Sequence, residues 1–99
     1  MTDTDANIAE VSLGQVLDLQ AAEPLRAELM ALRGRPLHVD ASQVSRLGGL
    51  CLQVLLSARI SWAEDGLPLR IEQASDGFLE QLAAFGGPQI NFEPEGAHL

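Results

Sequence analysis

The run from Gly49 to Ala63, G-L-C-L-Q-V-L-L-S-A-R-I-S-W-A, most limits how this chain can fold. It is too long for an ordinary strand, rich in Leu and free of Pro, so it predicts one long helix closed by Asp65-Gly66. A chain of 99 residues has room for a single core, and this helix must contribute to it.

Upstream, Ile8 to Leu13 alternates apolar and polar residues, and Gly14-Gln15 separates it from Val16 to Leu19, which predicts a β-hairpin. Ala22, Leu25, Leu29 and Leu32 recur at intervals of three and four, one face of a helix that ends at Gly34. Pro24 fits only close to the start of that helix, where backbone N–H groups lack internal partners, so the start is placed near Gln20 to Ala22. Pro36 to Asp40 predicts a buried strand followed by a turn over Asp40 to Gln43.

Downstream, Leu67, Leu69 and Ile71 mark a strand over Leu67 to Glu72. Ser75 and Asp76 suit the cap of a third helix, whose stripe is Phe78, Leu79, Leu82 and Phe85 and which stops at Gly86-Gly87. A last short strand is expected from Gln89 to Phe92. The order β-β-α-β-α-β-α-β predicts an α/β domain over residues 8–92, a mixed sheet with a parallel portion covered by helices. Residues 1–7 and 93–99 lack periodicity and are expected to be loose ends.

With 14 acidic residues against 6 basic ones, no Lys and scattered Arg, the formal charge of −8 opposes nucleic-acid binding. The lone Cys51 in an apolar run suits a reducing compartment. Met1 to Asn7 is polar and acidic, unlike a secretory signal, and no run is long enough to span a membrane. A cytoplasmic protein is expected.

Catalytic groups are scarce. His38 lies within a strand and is expected to be buried and neutral, while His98 falls in the tail, and the two with one Cys give no metal-ligand spacing. Cys51 could be activated by the helix N-terminus, but its apolar neighbours favour a packed thiol. Leu47-Gly48-Gly49-Leu50 lacks the spacing and the Lys of a phosphate loop, so its glycines are expected to permit a tight entry into the helix. No cofactor, no metal and no enzymatic activity are expected. The apolar residues of the long helix spread over more than one face. Either the helix is packed on two sides within the fold, or Leu50 and its neighbours form a patch for a partner or for self-association.

The stretch V-D-A-S-Q-V-S-R-L-G-G-L-C-L-Q-V-L-L-S-A, residues 39–58, resembles the signature of STAS domains, the anti-anti-sigma factor family. Asp40, Ser42 and Val44 match its first half, and Leu47, Leu52 and Leu55 match apolar positions of its second. Where the family carries Asp-Ser-Ser/Thr-Gly, this chain has Gly48-Gly49-Leu50-Cys51, so the hydroxyl that a partner kinase phosphorylates is replaced by Leu50. The variant motif is similar to small stand-alone STAS proteins associated with bacterial chemotaxis.

That resemblance implies an adaptor that binds the chemotaxis histidine kinase, with or without a response regulator, and changes phosphate flow without doing chemistry. Its contact would be centred on Leu47 to Cys51, with Arg46 and Gln53 beside them. The alternatives are an anti-anti-sigma regulator without its phosphorylation switch and a STAS subunit of a lipid-transport complex.

Overall fold

The computed structural model describes residues 8–86. They form β1 (Ala9–Ser12), β2 (Val16–Leu17), α1 (Leu19–Ala31), β3 (Leu37–Asp40), β4 (Arg46–Leu47), α2 (Gly49–Glu64), β5 (Leu69–Glu72) and α3 (Asp76–Gly86). The expected strand at Gln89–Phe92, the end of the third helix at Gly87, His98 and both loose ends lie outside the described residues.

Every strand pairing among the described residues is parallel. β3 is the centre of a sheet ordered β1-β3-β5, with Val11, Val39 and Ile71 in register, and β2 and β4 form a separate two-stranded pair. The expected hairpin is therefore not formed. β1 gives its hydrogen bonds to β3, and Gln15, within the expected turn, accepts from the backbone N–H groups of Ser45 and Arg46. Alternation marks a strand and its buried face but does not name its partner. Here α1 carries the chain across, so that β3 returns parallel to β1.

The alternation does set the two faces of the sheet. Ala9, Val11, Leu37, Val39 and Leu69 are buried in one core with Leu25 and Leu29 of α1 and Leu55 and Trp62 of α2. The opposite positions, Glu10, His38, Asp40 and Arg70 among them, are exposed or half-buried. His38 is thus not a core histidine: its ring is about one-third exposed, and Nε2 lies 3.9 Å from the Glu72 carboxylate. Two residues on, the Asp40 carboxylate accepts the Ser42 N–H at 2.9 Å, closing the turn after β3. That backbone bond, and then the Ser42 side chain, hold the Asp40 carboxyl below its usual range.

α1 begins at Leu19, slightly earlier than expected, because Asp18 caps it: its carboxylate accepts the Ala21 N–H at 3.2 Å. Pro24 consequently lies inside the helix, past the positions whose N–H groups need no partner. The helix stops at Ala31, short of Gly34, which takes φ +98° in the following loop. α2 packs along α1 and touches β5. Its far end is fixed by Trp62, whose indole N–H donates to the Arg35 carbonyl at 2.6 Å.

Candidate partner-docking site

The segment from Arg46 to Gln53 runs from β4 through a two-glycine junction into the first turns of α2. β4 lies beside β2, and the Gly48 N–H extends that pairing by donating to the Leu17 carbonyl at 2.8 Å. So close is the approach that a β-carbon on Gly48 would lie 2.9 Å from the Leu17 oxygen. Gly48 is thus required by the backbone crossing at the helix entry. At Gly49 a β-carbon would only touch the Phe85 ring, at 3.6 Å, so the second glycine is not demanded by packing.

Beyond the glycines, the helix turns successive side chains in different directions. Leu50 is 50% exposed, whereas Cys51 is completely buried. The Cys51 thiol donates to the Asp18 carbonyl at 3.3 Å. Burial, and then the nearby Asp18 carboxylate, push its pKa up, so the thiol is held neutral and is a packing group. Leu47 is equally part of the core, at 2% exposure. Of the residues placed in the contact by the sequence, Arg46, Gly49, Leu50 and Gln53 are exposed and Gly48 is half-buried. Leu47 and Cys51 are corrected to core residues: one apolar face of a strand and one of a helix must point inward, and theirs do.

α3 supports this region through Gln81, which the sequence does not single out, and through Ser75, which it marks as a cap. Gln81 accepts the Leu47 N–H on Oε1 at 2.6 Å and donates from Nε2 to the Ser45 carbonyl at 2.8 Å, a two-handed clamp on β4. A signal existed: Gln81 lies three residues after Phe78, on the stripe that faces inward. At the start of α3, Ser75 accepts the Phe78 N–H and donates to the Val44 carbonyl. Gly77 passes so near that loop that a β-carbon would stand 3.1 Å from the same oxygen.

α2 has further exposed apolar surface beyond Leu50. Ile60 is 58% exposed, and between α1 and α2 runs a groove of about 390 Å³. α2 therefore buries Cys51, Leu52, Leu55, Ala58 and Trp62 on one side and leaves apolar surface uncovered on the other among the described residues. The described residues hold no group of three or more His, Cys, Asp or Glu able to bind a metal ion. Nor do they include a helix long and apolar enough to cross a membrane.

No curated protein matches the chain. Residues 1–89 match the family described as "Mlab, STAS domain". The α/β order, the parallel sheet and the Asp40-x-Ser42 turn leading to a Leu-rich helix agree with that match, and the chain belongs to this STAS family of anti-anti-sigma-like regulatory domains.

Proposed function

We propose that this protein is a non-catalytic adaptor of a bacterial signalling pathway that binds the chemotaxis histidine kinase and modulates phosphate flow. One observation carries the reading: Leu50 stands half-exposed on the first turn of α2, where the STAS signature has its phosphorylated hydroxyl. An apolar side chain there accepts no phosphate, and covering the exposed half of Leu50 with a partner gains roughly 1 kcal/mol, about half of what full burial of a Leu is worth. The output of the site is contact, with Arg46, Gly49 and Gln53 at its rim.

Capture of the purified kinase on the immobilised chain tests the reading. Leu50→Asp is expected to abolish capture while leaving the thermal transition in place, because the side chain is outside the core. Unchanged capture by Leu50→Asp moves the interface elsewhere. If the wild-type chain captures an anti-sigma kinase or a transporter ATPase and not the histidine kinase, the pathway is one of the two alternatives.

A further inference from the structure

The groove between α1 and α2 has a definite shape and an unusual charge. On α2 it is lined by Leu50, Gln53, Val54, Ser57, Ala58 and Ser61, at intervals of three and four, a straight wall about 16 Å long. On α1 it is lined by Arg26, Leu29 and Met30. In a chain with a net charge of −8, this lining contains no carboxylate and a single charge, Arg26. Arg26 takes no part in the Arg33–Asp65 salt bridge or in the contact between His38 and Glu72.

We propose that this groove receives an amphipathic α-helix of a partner protein, one with an apolar stripe and a carboxylate placed opposite Arg26. The proposal rests on the docking reading and adds the form and charge of what docks. The form follows from the walls. Both are helices with their backbone groups bonded internally, so the groove offers no sheet edge, and a segment buried in it must satisfy its own backbone. The charge follows from Arg26. Covering a guanidinium without an anion leaves it desolvated and unpaired, and a basic helix would add repulsion. A second copy docked groove to groove would bring another Arg26 and no carboxylate from the lining.

Panning a displayed library of 16-residue helical peptides against the full chain tests this without any kinase. The enriched peptides should carry apolar residues at i, i+3 or i+4, and i+7, and Asp or Glu at one fixed register. Their affinity should fall about tenfold or more on Arg26→Glu, which should itself select Lys or Arg at that register. Ser57→Trp, which fills the groove from an exposed position, should also remove binding. No enrichment of striped helices, no acidic preference, or affinities indifferent to both variants would overturn the proposal.

So would a concentration-dependent dimer that Ser57→Trp dissolves, since the occupant is then a second copy. A photo-crosslinker on Ser57→Cys that lands in residues 87–99 would assign the groove to this chain's own tail, with the same effect. Successful selection combined with failed kinase capture would leave the groove inference standing and remove the kinase reading.

Discussion

The last turn of α2 is tied to neighbouring loops on its inner side by several bonds, and its first turn by few. At the last turn Trp62 is fully buried and hydrogen-bonded, Arg33 of the α1–β3 loop reaches Asp65 at 2.9 Å, and Gly66 takes φ +74° to let Leu67 fold back onto the Trp62 carbonyl. At the first turn the cap residue is a glycine with no side-chain bond to the helix, and Leu50 faces outward. Cys51 is the inward anchor there. The last turn is held by hydrogen bonds and an ion pair; the first is held by packing and leaves Leu50 outside the core. The difference shows that a single apolar run can contain two kinds of hydrophobic residue, told apart only by direction.

Trp62→Ala should break the comparison most severely. Removing a fully buried indole is expected to cost about 3–5 kcal/mol, measured as a lowered midpoint of denaturant unfolding. A small loss there would mean that the last turn is not the anchor. Gly48→Ala comes next, because its β-carbon would meet the Leu17 carbonyl at 2.9 Å, backbone against backbone. The expected loss is about 1–3 kcal/mol, and kinase capture should weaken with it as the first turn is displaced. Asp65→Asn is the mildest. Both side chains of its pair with Arg33 are about one-third exposed, so chemical denaturation should register a loss of about 0.2–1 kcal/mol, shrinking further in high salt. If Asp65→Asn cost as much as Trp62→Ala, the electrostatic part of the anchor would outweigh its packing.

Much of this arrangement is legible in the sequence, in the places where one local pattern decides. His38 of β3 and Leu79 and Phe85 of the expected α3 stripe are turned outward against expectation, but the long α2, its stop at Asp65-Gly66 and the existence of β3 and α3 follow from spacing and turn residues. The choice of strand partners does not. Ile8 to Leu13 and Val16 to Leu19 look like two arms of a hairpin, yet their partners arrive from residues 37–40 and 46–47. β4, with two residues, is too short to leave a periodic trace. Within the candidate docking segment the sequence does not tell inward residues from outward ones. Leu47 and Cys51 are as apolar as Leu50, and only the burial of their faces against the core separates them. The Gln81 clamp and the Arg26 wall join residues more than twenty positions from the segment they serve, and pairings of that kind depend on the assembled fold.

β2 and β4 pair over two residues each and are secured to α3 by Gln81. The first turn of α2 is therefore carried on the thinnest bracket among the described residues, a place where local opening costs less than unfolding the core. A partner that recognises only the closed arrangement draws that opening equilibrium toward itself. Its measured affinity then includes the work of keeping the bracket shut, and a substitution in β2 or at Gln81 can change affinity without touching the partner.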